Sequence, residues 1–207
     1  MYAISLGDDD GARLRPLEPW HAEEFLAHLD RGRDFITRHI PFGSKATDLD
    51  SARALLQAYA DKRAADSGSL HGIWLDGKLV GGVLFRVFDA ATGVCEIGVW
   101  LEPAATGRGL VTRASRVLID WAFDERGMHR VEWHAASDNT ASINVARRLG
   151  MTREGVLRES YPWRGVRQDY EIWAVLAPEW AKARARGDAD AGTRVERSQR
   201  SFAHNDH

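Results

Sequence analysis

Gly107 and Gly109 stand one residue apart in the stretch "WLEPAATGRGLVTRA" (Trp100 to Ala114), between an apolar run and a helix-like repeat. Glycine lets backbone N–H groups approach a ligand with no Cβ in the way. Where such a loop opens a helix, the first amides of the helix point at a phosphate. Two phosphate loops fail on spacing. No lysine follows either glycine, as a P-loop requires, and Thr112 stands where the Rossmann fingerprint needs its third glycine. What remains is a strand, a Gly107-x-Gly109 loop and a helix, with Arg108 and Arg113 placed to add charge-assisted contacts. An ordinary strand-to-helix turn is the alternative. Patterns for other chemistry are missing: there is no G-x-S-x-G elbow, and one cysteine with scattered histidines makes no zinc pattern.

The elements that must carry this loop follow from periodicity. "ARLRPL" (12–17) reads as a strand, and Glu18-Pro19 opens a helix with Phe25, Leu26 and Leu29 on its apolar side. A short helical stretch over 34–39 precedes Pro41. Thr47 with Asp50 resembles a capping box for a helix running to Ala65, with Leu49, Ala52, Leu55, Leu56 and Tyr59 inward. "SLHGIWL" and "LVGGVLFRVF" are strands joined through Asp76-Gly77-Lys78, a hairpin signal. "GVCEIGVWL" (93–101) is a third strand leading into the glycine loop. Leu110, Ala114, Val117, Leu118 and Trp121 recur at helical spacing up to Gly127. "HRVEWHAA" is a strand, "DNTASINVARRLG" a capped helix, and strands at 152–160 and 168–176 flank a turn at "YPWRGVR". This order predicts an α+β fold: a mixed, mostly antiparallel sheet of about six to seven strands flanked by helices. One domain is expected over 10–180, with 181–207 a polar, mobile tail.

Composition excludes several classes. Of the 207 residues 28% are charged, with a net charge of -2, so the basic surface of a nucleic-acid binder is not expected. The acidic start "MYAISLGDDD" does not fit a signal peptide, and no apolar run approaches the roughly 18 residues of a membrane span. A single cysteine, Cys95, fits a reducing cytoplasm. Trp100, Trp121, Trp133 and Trp173 read as core, while Trp163, in a turn, is placed to meet a ligand.

With "DNTASINVARRLGMTREGVLRES" following the loop, the chain resembles the GCN5-related N-acetyltransferases (GNAT), more narrowly their RimJ/RimL-like branch. Asn139, Ser142, Leu149, Gly150 and Met151 match the branch's second motif, and "YPWRGVRQDYEIWAVL" looks like its last hairpin. The resemblance covers about residues 10–180. It implies a GNAT fold and an acetyl-CoA-dependent acyltransferase that needs no metal. In such a protein Gly107, Arg108, Gly109, Leu110, Val111 and Thr112 hold the pyrophosphate. The splayed strand at Val99, Trp100 and Leu101 bonds the pantetheine arm like an added strand, and Asn139 and Ser142 line the other side. Asn139 also fits a plain helix N-cap. Ala104 departs from the family's Gln or Arg at the loop's start. That puts one polar contact in doubt, which Arg108 can replace.

The implied reaction is direct attack of an amine on the thioester, with a protein or peptide N-terminal α-amine as acceptor and ribosomal proteins as the family's known type. A small amine, another acyl-CoA, or a non-catalytic acyl-CoA-binding module are the alternatives. Three catalytic candidates follow. Glu96, between apolar Cys95 and Ile97, points off the core as a base, or else pairs across strands. Ser142 sits where the branch has a serine near the thiol, or else bonds back into its helix. Tyr161 can donate a proton to the leaving group, or else packs with Trp163. Glu132 and His134, on the non-core face of the next strand, are weaker candidates. Neither direct nucleic-acid binding nor membrane attachment is expected, and a homodimer stays open.

Overall fold

The computed structural model describes residues 3–7 and 11–186. Eight strands form one sheet in the order β1-β2-β3-β4-β5-β6-β8-β7: β1 (Ile4–Ser5), β2 (Ala12–Pro16), β3 (Ser69–Leu75), β4 (Lys78–Asp89), β5 (Val94–Leu101), β6 (Arg130–Ala136), β7 (Thr152–Trp163) and β8 (Val166–Leu176). All neighbours are antiparallel except β5 and β6, which run parallel. The α+β, mixed-sheet expectation holds. The eighth strand is β1, a two-residue piece paired with Arg13 and Leu14 and too short to leave a periodic signal.

Helices cover both faces. α1 (Ala22–Ile36) and α2 (Leu49–Ala64) bury Phe25, Leu29 and Leu56 against Trp74, Leu84 and Trp100. α3 (Leu110–Asp120) and α4 (Thr140–Arg148) bury Leu110, Ala114, Leu118, Ile143 and Ala146 against Phe85, Ile97, Val131 and Trp133. Trp100 therefore belongs to the α1/α2 side, whereas Trp133 and Trp173 belong to the α3/α4 side. Trp121 is only half-buried, at the start of a five-residue π-helical turn (Trp121–Glu125) that ends α3 earlier than its periodicity predicts.

Four further boundaries differ from the sequence reading, each for a local reason. The stretch at 34–39 is no separate helix; α1 runs to Ile36 through a kink at Gly32, where a Cβ would stand 2.8 Å from Pro103 Cδ. The capping box of α2 lies one residue later than Thr47. Asp48 is the N-cap, its carboxylate accepts from Ser51 N–H at 2.8 Å, and Ser51 Oγ accepts from Asp48 N–H at 3.0 Å. The last hairpin turns at Arg164 and Gly165 rather than over 161–167, since both adopt positive φ (50° and 78°). Residues 181–186, assigned to the tail, continue a helix over 177–186 (α5). It is held by buried Trp180, whose Nε1 donates to Asp120 at 2.7 Å, and by Arg184 on Asp124 at 2.6 and 2.9 Å. The rest of the assigned tail, 187–207, lies outside the described residues.

Candidate active site

The parallel pairing of β5 and β6 runs only from Val94↔Arg130 to Ile97↔Trp133. Beyond that point Gly98–Leu101 stay with β4, and His134–Ala136 stay with β8. The two strands therefore part, and their facing backbone edges have no partner strand among the described residues. Backbone N–H and C=O groups left so are costly unless a ligand or water meets them. The fork contains Val99, Trp100 and Leu101 on one arm, as the sequence places them. Only the Trp100 backbone faces it. Its side chain is 3% exposed and turns into the α1/α2 core, where Nε1 donates to His28 Nε2 at 3.0 Å.

The glycine loop follows the free end of the β5 arm, between Leu101 and α3. Gly107 and Gly109 have φ of 79° and 70°, the left-handed region that side chains avoid. Gly109 is the N-cap of α3, and its carbonyl accepts from Arg113 N–H at 3.0 Å. The amides of Leu110, Val111 and Thr112 precede that first ladder bond and are available to an anion. Arg108 is exposed beside them. Arg113 braces the loop instead, since its guanidinium donates to Leu6 O at 3.0 Å and to Arg108 O at 3.4 Å.

On the other arm, Asn139 is the N-cap of α4, its Oδ1 accepting from Ser142 N–H at 3.2 Å. Its amide NH2 has a donor left for a ligand. Ser142 Oγ accepts from Trp133 Nε1 at 2.9 Å, which fixes the oxygen and leaves the hydroxyl hydrogen to give.

The α1/α2 face of the fork carries the titratable groups. Glu96 is buried, and Arg86 grips both its carboxylate oxygens, at 2.6 Å from Nε to Oε1 and with Nη2 on Oε2. The cross-strand ion pair is thus real, and Glu96 is not a lone carboxylate. His134 lies next to it, Nδ1 3.6 Å from Glu96 Oε1 and Nε2 3.0 Å from Glu132 Oε2. Arg130 Nε bonds the other oxygen of Glu132 at 2.7 Å. Tyr161 stacks on Tyr170 at 4.7 Å, and Tyr170 meets His134 edge-on at 6.0 Å. Burial pushes both phenols up, Tyr170 to about 12 with help from Tyr161 and Glu96, so both stay neutral at pH 7. A bulge aims Tyr161: three residues of β7 (158–160) oppose the single Asp169, with Glu159 at φ 51° and its N–H on Asp169 at 2.9 Å.

The chain after α1 roofs this face. Trp163 Nε1 donates to Thr37 O at 3.0 Å, Arg164 to Thr37 Oγ1 at 2.9 Å, and His39 lies 3.4 Å from Asp138. Trp163 is therefore a strap between β7 and the α1–α2 connection rather than an open turn residue.

The sequence reading missed a buried anchor at the root of the glycine loop. Glu102 accepts from His28 Nδ1 at 3.2 Å and Arg31 Nε at 3.0 Å, with Lys78 Nζ at 4.0 Å. These partners lie tens of residues away in sequence and share no motif. With Pro103 and Ala104, three of these groups, Arg31, Lys78 and Glu102, line a hollow of about 360 Å³. Glu102→Ala would strand two donors around a buried site, at a cost of roughly 2 kcal/mol. Melting is expected to fall by about 4–8 °C. Glu102→Gln, which keeps an acceptor, should lose clearly less in the same calorimetric scan.

No group of three or more His, Cys, Asp or Glu side chains among the described residues is arranged to hold a metal, and no described helix is long and apolar enough to cross a membrane. Residues 12–152 match the acetyltransferase (GNAT) domain. The chain is 31% identical over 172 residues to the probable N-acetyltransferase YjcK of Bacillus subtilis (strain 168), covering 80% of this chain and 94% of YjcK. It is 29% identical to the putative ribosomal N-acetyltransferase YdaF of the same organism, covering 81% and 92%. Among solved structures, RimL, a ribosomal L7/L12 alpha-N-protein acetyltransferase in complex with coenzyme A, superposes with a TM-score of 0.79 at 19% identity, over 84% of this chain and 97% of RimL. The forked sheet, the glycine loop that follows its β5 arm and a domain match over most of the chain have one reading: this protein belongs to the GNAT acetyltransferase family.

Proposed function

We propose that this protein transfers an acetyl group from acetyl-CoA to the N-terminal α-amine of a protein or peptide. The observation that carries this is the fork between β5 and β6, which opens directly onto the α3 amides behind Gly107 and Gly109. A ligand with phosphates at one end and amides along its length meets both features. In this reading Gly107, Arg108, Gly109, Leu110, Val111 and Thr112 hold the pyrophosphate, and the backbone of Val99, Trp100 and Leu101 with the Asn139 amide holds the pantetheine arm. The Ser142 hydroxyl, held by Trp133, faces the sulfur, and the neutral Tyr161 phenol is a second donor for the leaving thiolate. Glu96 acts as an anion for the incoming amine rather than as a lone base.

The α-amine is favoured on acidity. Its pKa is near 7.7–8.0, against about 10.4 for lysine, so modest help frees it at neutral pH. The names of YdaF and RimL, which concern ribosomal proteins and an α-amine, support the same acceptor class. Free, buried Cys95 fits a cytoplasmic setting. The test is mass spectrometry after incubation with acetyl-CoA and a mixed library of peptides and small amines. Acetylated peptide N-termini are expected. Acetylation of small amines alone would replace the acceptor class, and tight CoA binding with no product would sink the enzymatic reading.

A further inference from the structure

Across β4, β5 and β6 five charged side chains stand in a row on the α1/α2 face: Arg86, Glu96, His134, Glu132 and Arg130. Their signs alternate if His134 is charged. Histidine is the one member of such a row whose charge ordinarily changes between pH 5 and 8. It is also the first residue of β6 past the last β5 pair, so it stands where the two strands part, with its side chain 17% exposed.

The contacts define its tautomer. A carboxylate can only accept, so at 3.0 Å from Glu132 the His134 Nε2 carries a hydrogen. Arg130 holds that carboxylate in place from its far oxygen. In the neutral ring Nδ1 then presents a lone pair toward Glu96 Oε1, 3.6 Å away. Two acceptors at that distance make no bond with each other. They match a donor placed between them, and a cationic donor best, because the two arginines of the row, Arg86 and Arg130, meet three carboxylates, Glu96, Glu132 and Glu154.

We infer that His134 is the proton acceptor of the reaction, and that the substrate α-ammonium binds between His134 Nδ1 and Glu96 Oε1. This rests on the acetyl-transfer reading above. The ammonium gives one proton to Nδ1. The amine nitrogen then attacks the thioester carbon, the C–N bond forms and the C–S bond breaks. The second nitrogen proton goes to the thiolate, giving the free thiol, and His134 returns its proton to solvent. Glu132 is the positioning residue that keeps the lone pair on Nδ1. The other groups facing His134 are Tyr170 of β8 and, behind it, Tyr161 of β7, while Tyr59 of α2 lies near Arg86 and Glu96. Burial pushes all three phenols up, so they stay neutral through the working range.

The test is the pH dependence of kcat/KM for a peptide with a free N-terminus, in the wild type, His134→Gln and Glu132→Gln. His134→Gln should lose about 100-fold near pH 6.5, typical for removal of a general base. The deficit should shrink to a few-fold at pH 9.5, where an α-amine is already neutral. Glu132→Gln should show a smaller loss of the same pH form. Acetyl-CoA affinity, measured by calorimetry, should stay at the wild-type value in both variants. A deficit constant with pH in both variants, or none, overturns the assignment. A wild type that binds acetyl-CoA yet acetylates no peptide overturns the reading beneath it, and this inference falls with it.

Discussion

Replacing Gly107 by valine is expected to weaken acetyl-CoA binding roughly 100-fold, while replacing Ala104 leaves it nearly unchanged. Gly107 holds φ at 79°, where a β-branched residue costs about 1–3 kcal/mol. If the backbone relaxes to escape that strain, it turns amides away from the phosphates and forfeits charge-assisted bonds worth about 1.5–3 kcal/mol. Either route costs binding up to roughly 3 kcal/mol, which is two decades of affinity. A Cβ at Gly107 or Gly109 meets nothing within 4 Å, so the valine does not clash with the protein itself. Where the exposed, ligand-free loop relaxes out of the strained conformation, the cost falls on ligand binding more than on thermal unfolding. Ala104, exposed in the 3-10 turn Pro103–Ala105, carries neither constraint. Titration calorimetry of the two variants decides the matter, and an unchanged affinity for Gly107→Val would mean that the loop does not hold the phosphates.

Mild acid is expected to destabilise the fold by about 4 kcal/mol between pH 7 and pH 5, through two buried histidines. Burial lowers His28 and His71 from 6.5 to about 4; for His28 it outweighs the nearby Glu102, and for His71 Arg63 adds to it. The unfolded chain takes up these protons first. Stability is therefore full above pH 6.5, is lost as pH falls toward 4, and levels off below. At pH 5 each histidine contributes a loss of about 2 kcal/mol, large against a typical total of about 5–15 kcal/mol. His28 cannot easily accept a second proton, because its Nε2 already accepts from Trp100. His71 Nδ1 is buried with no hydrogen-bond partner among the described residues. Urea unfolding at pH 7, 6 and 5 measures the slope, and His71→Leu should halve it. A flat profile over this window would refute the assignment of both rings as buried neutral groups.

Much of the site was legible because its causes are local. Gly107 and Gly109 act through their own φ angles, and Asn139 reaches Ser142 within one helical turn. Each of the two, the glycine loop and the α4 cap, is therefore written by its own short chain segment. Glu96 was placed on the right face by strand alternation between Cys95 and Ile97, which are both in the core. Alternation says which face a side chain takes but not which neighbour it finds there, so the grip of Arg86 came only with the β4–β5 register, and that register contains a bulge between Phe85 and Val87. The sequence places Tyr161 at the start of the turn "YPWRGVR". The strand continues through it, since β7 bulges at Glu159 and pairs with β8 up to Trp163.

The sequence by itself determined the α+β sheet and the glycine loop, because hydrophobic period and glycine placement act over a few residues, and its motifs pointed to the family, whose resemblance implied the splayed strand. Only the tertiary structure decided how the charges are shared. The row from Arg86 to Arg130 draws on three strands, and the Glu102 anchor joins residues 71 and 74 positions apart. Such contacts obey no spacing rule. They exist because sheet order and helix packing bring the groups together away from water, where each buried charge must find a partner.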